Sequence, residues 1–419
     1  MPLRIMHIST RLILGGSQEN TVLSCEGQLA RGHDVALVYG PIYGPEGSLL
    51  ERVKAFRAPR AQPGCLDSFR KEECERPRAI ELFETPNLVR EIAPFKDFRC
   101  YHDLRAIIRA WRPDVVHTHS SKAGILGRAA AWKERVPCVV HTIHGLPFHP
   151  YEKWWRNAIY IRSERFAAKR CHSIICVADA MRAQALAKRI GRADQHTIVY
   201  SGMEIESFLN PRWSRESVRA ELGLYEGDFV LGTVARLAEL KGHDDLLDGL
   251  GDLMKSRPEL KLLWVGDGWW RERLIARVRE MGLADRVLTT GLVPSEDVPK
   301  WLRAMDGLAH PSYREGLPRT VPQALLSDIP VIAYDVDGAR EVCMNRKTGI
   351  LVAPGNLHGL RDAVEWMMDH PAERAAMAQR GRELCRVRFD ATVMVTELEK
   401  VYAQCLGRSH PDERSAGRS

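Results

Sequence analysis

Short apolar runs alternate with longer helical patterns along nearly the whole chain. In the first half, Arg4–Ser9, Asp34–Tyr39, Val115–Thr118, Cys138–Ile143, Ser173–Val177 and Thr197–Tyr200 read as strands. In the second half, Phe229–Val234, Lys261–Val265, Val287–Thr290, Gly307–His310, Pro330–Tyr334 and Gly349–Val352 do the same. Between them lie segments with helical spacing, among them Gln18–Arg31, His102–Trp111, Asp245–Ser256 and Trp270–Glu280. Strand–helix alternation predicts α/β architecture, with parallel sheets covered by helices on both faces. The right-handed crossover rule then makes each half a doubly wound domain. The boundary falls near residues 202–211, where a strand gives way to a polar, proline-containing connector. Residues 57–97 form the least regular stretch, with several prolines and dense charge of both signs. They predict a long loop or insertion.

Composition narrows the class. The chain has 419 residues, 45% hydrophobic and 27% charged, which suits an ordinary globular protein of two domains. No run of 18 apolar residues occurs, so no membrane-spanning helix is expected. The apolar start at Met1–Ile8 runs into Gly15-Gly16 without a cleavage pattern and reads as a first strand. The 10 cysteines show no C-x-x-C pair and predict reduced, buried thiols in a cytoplasmic protein. The charge is uneven. Residues 1–205 carry 31 Lys and Arg against 21 Asp and Glu, whereas residues 206–419 carry 30 against 33. The basic half is therefore the candidate for an anionic partner.

Three loops carry candidate chemistry. Gly15-Gly16-Ser17 links the first strand to a helix, where glycine lets a ligand approach and free N–H groups can meet an anion. Arg236 and Lys241 follow the strand Phe229–Val234 and can clamp a diphosphate. Glu315-Gly316-Leu317-Pro318 places a carboxylate just before a helix start marked by Pro318, with Gln323 further on. Each loop alone also fits a structural turn. His144 ends a strand at a carboxyl edge, whereas His141 is expected in packing. His117 and His119 share one strand face, without a carboxylate or thiol at ligand spacing.

In order and separation, these signals resemble the retaining, nucleotide-sugar-dependent glycosyltransferases of family 4. His117-Thr-His-Ser-Ser-Lys-Ala-Gly-Ile-Leu-Gly-Arg128, Val140–Gly145, Gly266-Asp-Gly268 and Asp337-Gly-Ala-Arg-Glu341 extend the likeness over residues 3–405. The segments 117–128 and 140–145 look like those of enzymes that assemble bacterial exopolysaccharide, capsule or O-antigen. The resemblance implies the GT-B fold: two facing Rossmann-like domains around a deep cleft. It implies an acceptor domain over 1–205, a donor domain over 206–388, a helix over 389–407 packing back on the first domain, and a disordered tail over 408–419. Gly15 and Gly16 would lie near the donor phosphates. Arg236 and Lys241 would neutralise the leaving diphosphate. Glu315 would bond the transferred sugar, and Gly316 and Leu317 would offer N–H groups. Gly266 and Val293 would belong to the donor site, the segment Gly291–Val293 bordering the nucleobase. His144 would face the donor sugar. Ser120, Ser121 and Lys122 are candidates for the acceptor. Gln323 stands where the family's second acid usually contacts the ribose, and a neutral amide can still bond a hydroxyl.

The implied activity is metal-independent hexosyl transfer from a UDP-type sugar nucleotide to a glycan or polyprenol-linked acceptor, with no cofactor and no nucleic-acid partner. Asp335-Val-Asp337 mimics a D-x-D metal element, but it leads into a donor-side loop. Residues 149–170 interleave Tyr151, Trp154, Trp155, Tyr160 and Phe166 with six Lys and Arg. Such a helix either packs its aromatics inside the domain or docks at an anionic membrane face, which would place the protein on the inner surface of the cell membrane. A nucleotide-sugar epimerase or a non-catalytic carbohydrate-binding scaffold are the alternative classes.

Overall fold

The computed structural model describes residues 2–42, 47–58 and 77–407. The chain divides into two units, Met1–Met203 with Ala391–Ser419, and Glu204–Asp390.

The first unit holds a seven-stranded, all-parallel sheet: β1 (Arg4–Ser9), β2 (Asp34–Tyr39), β3 (Glu81–Glu84), β4 (Val115–His119), β5 (Cys138–Ile143), β6 (Ser173–Cys176) and β7 (His196–Ile198). The spatial order is β3-β2-β1-β4-β5-β6-β7, so the winding reverses between β1 and β4. His7 of β1 lies level with His117 of β4 in that central pairing. All five residues of β4 are buried, as a strand covered on both faces requires. One core layer joins Met6, Ile8 and Val116 to Leu104, Ile108, Ala123 and Ala130 of the helices Pro94–Trp111 and Ser121–Lys133. Another joins Ile5, Val115, Cys138 and Val140 to Met394, Leu398 and Tyr402 of the helix Ala391–Leu406. That last helix therefore packs on the first sheet, although it follows the second unit in sequence.

The second unit has a six-stranded parallel sheet: β8 (Phe229–Val234), β9 (Leu260–Val265), β10 (Val287–Gly291), β11 (Gly307–His310), β12 (Val331–Tyr334) and β13 (Gly349–Val352). Its order is β10-β9-β8-β11-β12-β13, and the winding reverses between β8 and β11. Its core joins Leu246, Leu250 and Leu253 of the helix His243–Ser256 and Leu360 and Val364 of the helix Leu357–Asp369 to Leu262, Trp264 and Ile332 of the sheet. Asn356 caps the latter helix by accepting from the Gly359 N–H at 3.0 Å.

One expectation needs correction, and one of the two readings of residues 149–170 does not fit. The stretch 57–97 is not all loop, because β3 forms at its end. With Glu at both termini and a single apolar pair, Glu81-Leu-Phe-Glu84 lacks an apolar run, as short edge strands often do. Of the aromatics of residues 149–170, Tyr151, Trp154, Trp155 and Phe166 do not pack inside, whereas Tyr160 is half-buried. On the helix Trp154–Ala168 the buried side chains are Glu164, Ala167 and Ala168, while Trp154 is 81% exposed and Trp155, Ile159 and Phe166 are exposed with it. Arg156 lies over the Trp155 ring and Arg170 over Phe166. The eight described cysteines are buried, and none is in a disulfide among the described residues. The tail 408–419 and much of 57–97 lie outside the described residues.

Candidate functional site

In open parallel sheets ligands bind beyond the carboxyl ends of the strands, where the winding reverses. The predicted residues fall at such positions in both units.

In the second unit these are the loops after β8 and β11. Lys241 Nζ lies 2.6 Å from Glu315 Oε1 and 3.4 Å from Ser312 Oγ. His310, the last residue of β11, brings Nε2 to 3.3 Å from the same carboxylate oxygen, and its Nδ1 meets Thr320 Oγ1 at 3.1 Å. The Glu315 N–H donates to Asp337 Oδ2 at 2.8 Å, and the Gly338 N–H to Gly316 O at 3.1 Å. The 315–317 turn is thus fixed from both sides. Asp335 is paired with Arg340 at 2.9 Å, so both carboxylates of the D-x-D look-alike have local partners. Among the described residues, the N–H groups of Gly316 and Leu317 have no acceptor. An ammonium and a carboxylate therefore meet across the loops after β8 and β11, next in sequence to two N–H groups without a backbone acceptor among the described residues.

Gly242 joins this loop to the helix His243–Ser256. Its φ is +74°, and a Cβ there would lie 2.1 Å from the Pro311 carbonyl oxygen. Gly242→Ala is expected to displace Lys241 from Glu315 and to lower Tm, because strain and clash act together. A melting curve of the variant checks this.

Burial alone would raise the Glu315 carboxyl, but Lys241 and His310 overcome it and hold it well below the ordinary carboxylate range. A lowered folded value stabilises the folded state above the unfolded value, and that stabilisation fades as pH falls through the folded value. Acidification below 4.5, the ordinary value, should therefore destabilise the wild type more than Glu315→Gln. Urea midpoints at about pH 7 and about pH 3.5 test the sign.

The loops after β8, β9 and β10 are bonded to one another. Leu237 N–H donates to Asp267 O and Gly266 N–H to Gly291 O, both at 3.1 Å. Arg236 is exposed beside the Trp269 ring, 5.9 Å from guanidinium carbon to centroid. Asp267 faces Arg271 at 3.8 Å. Val293 follows in the loop after β10. Gln323 is nearly buried, in the first turn of the helix Thr320–Leu326, which begins two residues after Pro318.

In the first unit, Gly15 caps the helix Gly16–Ala30. Ser120, after β4, has φ +60° and bonds Thr10 Oγ1 at 2.7 Å, which ties the loops after β1 and β4 together. Ser121 opens the next helix, and Lys122 is held by the Asp97 carboxylate and the Glu91 carbonyl. His144 is half-buried, and its Nε2 lies 3.1 Å from His119 Nδ1. His141 packs inward on Thr118, against Gly124, where a Cβ would come 2.5 Å from the ring. Arg128, from the 117–128 motif, is fully buried against Glu164 at 2.7 Å and has a structural role. His7, His117 and His119 bring ligand atoms within 4.8 Å of one another, but every ring nitrogen already has a side-chain partner.

Sequence reasoning missed His310, Ser312, Asp337 as an anchor, and His7. The only signal for His310 was its place at the carboxyl end of a central strand. His7 lies 112 positions from His119, and only the strand order brings them together.

Residues 15–202 match the family described as glycosyl transferase 4-like domain, and residues 214–384 match glycosyl transferases group 1. Over 295 residues the chain is 28% identical to the Escherichia coli UDP-Gal:alpha-D-GlcNAc-diphosphoundecaprenol alpha-1,3-galactosyltransferase, covering 70% of this chain and 76% of that protein. It is 22% identical over 340 residues to the Staphylococcus aureus capsular polysaccharide biosynthesis glycosyltransferase CapM, covering 78% and 88%. In fold it is similar to Anabaena HepE, solved in complex with UDP, with a TM-score of 0.74 at 19% identity over 96% of this chain and 100% of that one. It is also similar to WaaG, a glycosyltransferase involved in lipopolysaccharide biosynthesis, with a TM-score of 0.71 at 18% identity over 97% of this chain and 100% of that one. Both neighbours share the GT-B architecture of two Rossmann-like domains.

Proposed function

We propose, from the premise that this chain belongs to the group 1 glycosyl transferases with a 4-like first domain, that it transfers a hexose from a nucleotide diphosphate sugar to a hydroxyl of a lipid-linked glycan. The configuration at the sugar carbon is retained and no metal takes part. The observation that carries this reading is the contact of Lys241 with Glu315 at the β8–β11 reversal, in the turn that also holds the N–H groups of Gly316 and Leu317.

The leaving group is a nucleoside diphosphate, whose charge grows as the glycosidic bond breaks. Catalysis needs cations and oriented dipoles that act most strongly at that point. Lys241 and the two amides supply them, and Arg236 adds a second cation from the same loop. Glu315, kept ionised by Lys241 and His310, accepts a hydrogen bond from a sugar hydroxyl. The acceptor attacks from the face that the diphosphate leaves, and a phosphate oxygen takes its proton. In the second unit, Gly266, Val293 and Gln323 would serve the donor; in the first unit, Gly15, Gly16 and His144 would serve the donor and Ser120, Ser121 and Lys122 the acceptor.

Two observations support the choice of substrates. The E. coli relative is named for a UDP-galactose donor and a diphosphoundecaprenol-linked acceptor. The exposed Tyr151, Trp154, Trp155 and Phe166, with their neighbouring Arg and Lys, suit the surface of an anionic membrane. No helix among the described residues is long and apolar enough to cross one, so the contact is peripheral, on the inner face.

A thermal-shift screen of UDP-, GDP- and ADP-sugars tests donor binding, since a ligand of the native state raises the transition temperature. One nucleotide class should shift it, and Lys241→Ala should abolish the shift. A screen in which none does contradicts the reading.

A further inference from the structure

A continuous line of hydrogen bonds runs through the interior of the first unit. His144 Nε2 meets His119 Nδ1 at 3.1 Å, and His119 Nε2 meets His7 Nδ1 at 2.9 Å. His7 Nε2 meets Gln28 Oε1 at 2.8 Å, and Gln28 Nε2 donates to Tyr402 Oη at 3.1 Å. Tyr402 Oη meets His117 Nδ1 at 2.6 Å, and His117 Nε2 meets Thr142 Oγ1 at 2.7 Å. Five elements contribute: β1, β4, β5, the helix Gly16–Ala30 and the helix Ala391–Leu406.

Each neutral imidazole has one donor and one acceptor nitrogen. The donors therefore follow one another from a single fixed point. Gln28 Oε1 can only accept, so His7 Nε2 carries the proton and His7 Nδ1 accepts. His119 Nε2 must then be the donor and His119 Nδ1 the acceptor. His144 Nε2 is in turn the donor, and its Nδ1 carries the lone pair. On the other arm, Tyr402 accepts from Gln28 and donates to His117 Nδ1. Turning the Gln28 amide over would reverse every one of these bonds together.

We propose that Gln28, His7 and His119 are positioning residues that act through His144, holding it as the Nε2–H tautomer so that Nδ1 acts as an acceptor and not as a donor. The idea rests on the donor role proposed for His144, in which an acceptor nitrogen receives a hydrogen bond from a sugar hydroxyl. The groups facing the line keep it uncharged. His119 faces His7, His117, His141 and His144, and Tyr402 faces Gln28, Glu399, Cys25 and Cys138. Burial holds His7 down to about 4 and pushes His117 and His119 well below the ordinary value. Three nitrogen ligands within 4.8 Å could also invite a metal ion, but that would break the line, which uses all six nitrogens. Zinc titration is thus a control.

The test is long-range proton–nitrogen correlation on the full chain labelled with nitrogen-15 histidine, followed by kinetics. Wild-type His7, His119 and His144 should all be Nε2–H tautomers at neutral pH, unchanged by added zinc. Gln28→Leu and His119→Gln should leave His144 a tautomer mixture and lower kcat at least about tenfold with little change in donor KM. Gln28→Glu keeps an acceptor for His7 and adds charge. It should retain the His144 tautomer and move the acid limb of the kcat profile to higher pH. An Nδ1–H tautomer at His144 in the wild type overturns the proposal, as does a zinc-induced shift of all three rings. Both can occur while transferase product still forms, so they are distinct from failure of the functional reading. A chain that shows the predicted tautomers but makes no product would instead sink that reading.

Discussion

Replacing Lys241 with alanine is expected to lower kcat/KM for the nucleotide diphosphate sugar by at least about 10²-fold, the scale seen when one preorganised group facing developing charge is removed. The ammonium lies 2.6 Å from Glu315, whose turn also carries the N–H groups of Gly316 and Leu317. Its loss removes charge stabilisation of the leaving diphosphate and releases the Glu315 carboxyl toward the ordinary range. Lys241→Arg keeps the charge but not the compact geometry, so it should recover part of the loss. Far-ultraviolet circular dichroism should be unchanged in both, because the pair lies at a loop and not within a core layer. Steady-state rates near wild type for Lys241→Ala would exclude this lysine from the site.

Glu164→Ala is expected to destabilise the first unit by about 3–5 kcal/mol and to lower its Tm by roughly 10 °C. Arg128 and Glu164 are both fully buried, 2.7 Å apart, and link the helix Ser121–Lys133 to the helix Trp154–Ala168. Arg128 Nε donates to the Gly124 carbonyl, while Nη1 has no partner among the described residues. Removing the carboxylate strands a guanidinium in the core. The double change Arg128→Met with Glu164→Leu should recover most of the loss, since an apolar pair of similar volume avoids desolvating two ions. Calorimetry of the three variants separates the outcomes. A double variant as unstable as Glu164→Ala would show that packing, not charge, fails. Because the helix Trp154–Ala168 bears the exposed aromatics, Glu164→Ala should also weaken binding to anionic vesicles. Trp154→Ala should weaken that binding without changing Tm.

The architecture was readable because strands buried on both faces are written as short apolar runs. Phe229–Val234 and Gly307–His310 were placed to the residue, and the loops carrying Lys241 and Glu315 then fell at a winding reversal. β3 was not readable, since Glu81 and Glu84 at a sheet edge face water and leave no run to detect. The direct Lys241–Glu315 contact was not readable either, because pairing across 74 positions depends on β8 and β11 being neighbours. The same holds for the histidine line. His117 and His119 could be placed on one face by alternation, but His7, Gln28 and Tyr402 join them only through strand order and the returning C-terminal helix. The uneven charge of the two halves pointed to an anionic partner. The exposed aromatic and basic helix is the surface proposed for that partner.

The central claim is sugar transfer with retention, and the most direct measurement is the anomeric configuration of the product. The full chain would be incubated with the nucleotide sugar found by thermal shift and a polyprenyl diphosphate-linked amino sugar, without divalent metal. The new linkage would then be read by the proton coupling constant at the anomeric carbon. One nucleoside diphosphate should be released per linkage formed, with the donor's own configuration preserved. An inverted linkage, an isomerised free donor, or a product that forms only with added metal would contradict it.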